Sequence, residues 1–199
     1  MQYTKEIFAH YTKEYIRIYQ AYNTTIAHEA VKLQTFGENF NVNRMTWIKP
    51  SFLWMMYRSN WGTKKNQDNI LAIDIRRNVF DSFLERAILT SPDSDEFSGS
   101  EWEKAFDDTK VYCQWDPDRN INGAPINRAA IQIGIKCNAL RDFIDNGIIK
   151  IQDITPQVAK WNIQRKNNKL TPKELPVEKI YEIKDKKNQK PTGYVNNDF

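Results

Sequence analysis

The chain has 199 residues, 40% of them hydrophobic and 13% aromatic, with a formal charge of +4. That length supports one domain with a substantial core and is short for two. No apolar run approaches 18 residues and none opens the chain, which predicts a cytoplasmic protein without a membrane span or export signal. Two cysteines outside a CxxC pair and two histidines exclude a zinc enzyme; they read as two reduced, buried thiols and no metal site.

Residues 1–14 read as a short helix or an unsettled lead-in. "YIRIYQAY" (15–22) is β-branched and aromatic and predicts a strand. In "NTTIAHEAVKLQTFG", Ile26, Ala30 and Leu33 fall at helical spacing and Gly37 is a stop signal. Pro50 and Ser51 open a second helix that runs to Gly62. "NILAIDIRR" (69–77) is a strand, the next twelve residues are helical, and "TSPDSDEFSGS" (90–100) is a polar loop. "VYCQWDPDR" predicts a short strand ending in a turn at Asp116-Pro117, and "RAAIQIGI" (128–135) another strand. "NALRDFIDNG" reads as a helix stopped by Gly147, and 148–161 as a strand or turn leading into a short helix. Without a strict βαβ period, this order predicts an α+β domain over 1–161.

Charge is concentrated near the end. Residues 160–190 hold ten Lys/Arg against four Asp/Glu, an excess of six that leaves the remainder at about −2. Residues 162–199 therefore read as a basic, partly flexible segment, either a solvated run or a phosphate-attracting tail for nucleic acid.

The stretch "MTWIKPSFLWMMYRSNWG" (45–62) mixes three tryptophans with Lys49, Ser51, Arg58 and Ser59. In a helix begun at Pro50, Lys49 lies at an N-terminus that favours anions. Ser51, Met55 and Arg58 then share one face, while Phe52 and Met56, with Leu53 and Tyr57, turn to the core. That arrangement predicts core on one side and a ligand wall on the other.

"IRIYQAY", "MTWIKPSFLWMMYRS", "ILAIDI", "QWDPDR" and "IQIGI" together resemble the domain-of-unknown-function 4291 family over roughly residues 10–160. That family brings no assigned activity. The order of elements is also similar to the ADP-ribosyltransferase-like fold, particularly its nucleic-acid-modifying and RNA 2′-phosphotransferase branches. "IYQAYNTTIAHEAVKLQTFG" has the layout of a first strand and helix, with Gln20 where those families often have histidine. "WIKPSFLWMMY", "ILAIDI" and "AAIQIGI" follow in the matching order.

This second resemblance implies a single domain with a bent or split, mainly antiparallel sheet flanked by helices. It also implies NAD as substrate and a nucleic acid or nucleotide as acceptor. Arg17 and Gln132 are the catalytic candidates it suggests. Arg17, Tyr19, Gln20, Trp47, Lys49, Ser51, Met55 and Arg58 are the candidates for holding the dinucleotide. Gln132, between the small residues Ala130 and Gly134 on one strand face, has room beside it for a ligand hydroxyl. It stands where such transferases commonly carry glutamate, so the negative charge must come from a neighbour, Asp74 or Asp116, for transfer to proceed. Two other readings stay open: a non-catalytic nucleotide- or nucleic-acid-binding module, and an unrelated α+β interaction protein.

Overall fold

The computed structural model describes residues 3–91 and 99–183. The lead-in is extended rather than helical: β1 (Thr4–Lys5) and β2 (Phe8–Ala9) flank Ile7, which is buried with Ala9 in the main core. β3 (Tyr15–Tyr22) covers the predicted strand, with Ile16 and Ile18 in the core. α1 (Thr24–Leu33) starts where the Asn23 side chain accepts from Ile26 N–H, and it ends at Gln34 in the left-handed region, before Gly37. β4 (Thr46–Ile48) leads to α2 (Phe52–Ser59), whose N-cap is Ser51. β5 (Asn69–Arg76), α3 (Arg77–Arg86) and β6 (Ile88–Leu89) follow.

Most of the predicted 90–100 loop lies outside the described residues. Beyond it α4 (Ser100–Asp108) forms an additional helix that places Trp102 and Phe106 one turn apart. β7 (Val111–Arg119) continues through Asp116-Pro117 instead of turning there; its register slips between Pro117 and Arg119, and the hairpin closes beyond Asn120. A register irregularity is where a strand tolerates proline. β8 (Pro125–Ile135), α5 (Cys137–Asp142) with a π-helical turn at Phe143–Gly147, and β9 (Ile148–Asp153) complete the strands of the two main sheets. α6 (Thr155–Lys166) and the short β10 (Lys179–Ile180) close the described chain.

Two sheets form. One is all antiparallel, β3-β5-β9, with β5 in the centre. The other has β8 and β7 antiparallel at its heart; β6 adds parallel to β7, while β1 (parallel) and β4 (antiparallel) share the remaining edge of β8. A single bridge, Tyr19 to Lys49, joins the two sheets. The domain is mixed α/β with a curled, mainly antiparallel sheet, and six α-helices occur among the described residues. No helix among these residues is long and apolar enough to cross a membrane. Cys113 is buried, its thiol pushed up to about 12 by desolvation, but Cys137 is exposed, against the reading of two buried thiols.

The boundary expected after residue 161 falls inside α6. The described part of the basic segment is built into the domain: Leu175 joins the core under α2, and Tyr181 is fully buried in the main core. Tyr181 donates to Asp81 Oδ1 at 2.5 Å and accepts from Arg77 Nε at 3.1 Å, both on α3, and β10 pairs with β2. Residues 184–199 lie outside the described residues.

Removing the phenolic hydroxyl leaves buried charged groups short of a hydrogen bond, which costs about 1–3 kcal/mol. Tyr181→Phe should therefore lower the thermal midpoint by roughly 3–10 °C. An unchanged melting curve would show that the Tyr181 hydroxyl does not hold the strap to α3.

Candidate functional site

Register fixes the site. β4 runs beside β8 with Trp47 opposite Gly134 and Ile48 opposite Ile133. The pairing ends there, and Lys49, two residues past Trp47, continues on the Trp47 face while its backbone bridges Tyr19. On the other side of β8, Gln132 faces Gln114 of β7. The odd residues Ile131, Ile133 and Ile135 fill the core, so strand alternation sends Ala130, Gln132 and Gly134 to the opposite face. A polar row therefore forms on this face: Gln132 and Gln114 pair across β8 and β7, and Asp116 shares the Gln114 face two residues on. Lys49, just past β4, lies close enough for its charge to act on Asp116.

The row is hydrogen-bonded. Gln132 Nε2 donates to Asp116 Oδ2 at 2.7 Å and to Gln114 Oε1 at 3.3 Å, and Gln114 Nε2 donates to Asp116 Oδ1 at 3.3 Å. Two amides thus hold one carboxylate. Burial raises the Asp116 pKa, while the Gln132 bond and the charges of Arg58, Lys49 and Arg119 act to lower it. Lys49 is 8% exposed and donates to Trp47 C=O at 3.1 Å. Desolvation, then repulsion from Arg58, lowers its amine to about 7, with Asp116 opposing the shift. Lys49, Arg58 and Arg119 all act on this one partly buried carboxylate, Lys49 from a buried position and Arg58 from an exposed one, a local surplus of positive charge.

The other candidates divide. Trp47 belongs to the face: a Cβ on Gly134 would stand about 3.0 Å from the Trp47 ring and 2.9 Å from Met45 Sδ. The space expected beside Gln132 at Gly134 is therefore already filled by those two side chains. Gln20 is buried and donates to Thr46 Oγ1 (2.9 Å) and Trp47 C=O (3.3 Å), so it pins β4 to β3 rather than reaching the face.

Ser51 is a cap, not part of a helical wall. Its Oγ accepts from Trp54 N–H and donates to Asp118 Oδ1 at 3.1 Å. Asp118 also accepts from Arg128 Nε at 2.7 Å, and Glu178 Oε1 accepts from Phe52 N–H at 2.6 Å. The start of α2, expected to attract a ligand anion, is thus occupied by the chain's own groups. The buried face of α2 is also wider than expected. Phe52 and Met56 are buried as predicted, but Met55 is buried with them, and Tyr57 is 45% exposed.

Arg17 and Tyr19 lie on the other sheet. Arg17 clasps Asp74 with Nε and Nη2 at 2.7 and 2.9 Å, and the bond to Asp74 raises its pKa. Tyr19 is fully buried, edge-on to Phe52, with no partner for its hydroxyl among the described residues. Asp116, expected as an auxiliary carboxylate in a turn, lies instead within β7 and holds the Gln132 amide. Gln114 and Glu178 went unnoticed: the alternation in "YCQWD" placed Gln114 and Asp116 on one face, whereas nothing local marks Glu178.

Residues 6–181 match the family described as Domain of unknown function (DUF4291). The chain belongs to that family. The match extends through β10 to Tyr181, so the family's domain includes the strap that supplies Glu178. No curated protein matches the chain.

The titrations have opposite signs. Lys49 falls from 10.5 unfolded to about 7 folded, so the unfolded chain holds the extra proton and stability rises with pH from about 7 towards 10. Glu178 rises from 4.5 to about 8 through burial, so its contribution is present below 4.5 and is lost as pH climbs to 8. Denaturant midpoints should pass through a minimum near pH 7–8. Lys49→Met should abolish the alkaline rise and Glu178→Gln the decline on the acid side, each on the order of a few kcal/mol. A variant that keeps its parent's slope would show that the named group is not the one titrating.

Proposed function

We propose that this face cleaves NAD and transfers ADP-ribose, with a nucleic acid or nucleotide as acceptor. The observation that carries the reading is the Asp116 carboxylate held by Gln132 beside Lys49 and Arg58. The likeness of "IYQAYNTTIAHEAVKLQTFG", "WIKPSFLWMMY", "ILAIDI" and "AAIQIGI" to the ADP-ribosyltransferase layout supports it. The positive surplus supplies a test of fit: repulsion between Lys49 and Arg58 is relieved when a pyrophosphate lies between them.

As substrate, NAD supplies a glycosidic bond that breaks between the ribose carbon and the nicotinamide nitrogen. The electron pair leaves with neutral nicotinamide, and an acceptor oxygen or nitrogen bonds to the ribose carbon and gives up its proton. Asp116 sets a negative charge where positive charge grows on the sugar, and its partial burial weakens the screening of that charge by water. Gln132 and Gln114 fix the carboxylate's direction through three hydrogen bonds, so no reorganisation is needed at the moment of reaction. The part expected of a strand glutamate is thus divided: Gln132 positions, and Asp116 carries the charge. Trp47, half-buried at the end of the row, offers a ring face for stacking. Arg17, already clasped by Asp74, is left out of this scheme as a structural ion pair.

The assay is nicotinamide release from NAD, run beside calorimetric binding of ADP-ribose. Asp116→Asn should lower release about 10²–10³-fold while ADP-ribose still binds. Arg58→Ala should weaken binding about tenfold. Affinity should fall as pH rises through 7, because Lys49 gives up the charge that meets the phosphates. Binding without release by the parent would make the protein a nucleotide-binding module. A parent that binds no ADP-ribose would end the proposal.

A further inference from the structure

A second concave site lies outside this row. A pocket of about 240 Å³ opens between the end of α2, the turn joining β7 to β8, and α6. Its walls include Leu53, Tyr57, Asn60, Trp61, Asn122 and Arg165. Helical spacing explains the first four: 53, 57, 60 and 61 fall on one face of α2 and its left-handed exit, where Asn60 and Trp61 both have positive φ. The volume falls below the range of about 300–1,000 Å³ usual for a drug-sized ligand, which suits a single ring system.

The lining chemistry narrows the ligand. Arg119 lies over the Tyr57 ring at 4.0 Å from its centroid and over Trp54 at 5.7 Å, while Trp54 and Tyr57 stack at 5.5 Å. Were Trp54 and Arg119 on opposite faces of Tyr57, they would be separated by nearly the sum of their distances to it. They therefore sit on the same side, and the 45% exposure of Tyr57 belongs to its other face and edge. Arg165 lies 5.2 Å from the Trp61 centroid and gives Nε and Nη2 to Asn162, leaving Nη1 without a partner among the described residues. Exposed side-chain amides of Asn60, Asn120 and Asn122 ring the mouth, and α6 also bears exposed Lys160 and Lys166. Asn60 Nδ2 donates to Thr63 and Asn120 Oδ1 accepts from the turn's own N–H groups, while their other amide atoms face outward to a ligand. An open aromatic face, amides that both donate and accept, and a guanidinium on a basic helix match one nucleotide of a single strand. The base stacks, its edge meets the amides, and the phosphate meets the arginine.

Arg119 links this pocket to the first site. Its charge acts on Asp116 on one side, and its guanidinium stacks on Tyr57 on the other. We infer that the pocket lined by Tyr57, Trp61 and Arg165 binds one nucleotide of a single-stranded nucleic acid and holds that strand beside Asp116. The strand's role as acceptor rests on the function proposed above; its binding does not.

The test uses fluorescein-labelled oligothymidylate and oligouridylate in fluorescence anisotropy at low salt, with ADP-ribose binding measured separately on the same proteins. Tyr57→Ala and Arg165→Ala should each weaken oligonucleotide binding about tenfold or more and leave ADP-ribose binding at the parent's level. Tyr57→Phe, which keeps the ring, should bind as the parent does. Arg165→Ala should also flatten the salt dependence by about one counterion. Parent-level binding by Tyr57→Ala and Arg165→Ala, or no oligonucleotide binding by the parent, would overturn the inference. Oligonucleotide binding without NAD cleavage would uphold it while removing the function proposed for the neighbouring row.

Discussion

One backbone hydrogen bond, Tyr19 N–H to Lys49 C=O at 2.7 Å, sets the geometry on which the candidate site depends. It joins a sheet whose register is fixed by the isoleucines of β3 and β5 to one fixed by those of β8. A slip of one residue there would turn every side chain of β4 to the opposite face. Gln20 reinforces the seam by bonding to Thr46 and to the Trp47 carbonyl. With β4 held in this register, Lys49 follows Trp47 on the face that carries Gln132, and Ser51 is left at the start of α2.

Burying a lysine at such a seam is unfavourable unless its charge is met or given up. Lys49 has one carbonyl and a distant share of Asp116, with Arg58 acting against it. A protein interested only in stability would place an apolar residue there. The lowered amine pKa is the consequence of that placement, and the backbone around it is anchored by its neighbours. Asp118, Arg128 and Glu178 fix the start of α2, and Tyr181, bonded to Asp81 and Arg77, fixes the strap that delivers Glu178. Arg77 also donates to the Glu182 carbonyl, so both sides of Tyr181 are tied to α3.

What the sequence disclosed follows from the range of the physics. β3 was legible because Ile16 and Ile18 alternate with Arg17 and Tyr19, and period two is a local signal. α2 is legible as a helix, but its buried face is wider than the local pattern indicates, and Met55, expected on a ligand wall, packs in the core with Phe52 and Met56. The Trp102–Phe106 spacing that marks α4 was present and passed over behind the polar run before it. The row of Lys49, Gln132, Gln114 and Asp116 was only half legible. Each side chain's parity can be read, but their meeting depends on the registers of three strands, which no short window contains. Tyr181 was hidden for another reason: a two-residue strand among lysines has no period, and its burial comes from α3, a hundred residues earlier.

The most direct measurement is a crystal structure of the protein soaked with a non-hydrolysable NAD analogue. The proposed function requires the pyrophosphate within hydrogen-bonding distance of Lys49 and Arg58 and the nicotinamide ribose against Asp116, with the Gln132–Asp116 bond intact. A dinucleotide bound elsewhere, or density confined to the pocket at Tyr57, would contradict it.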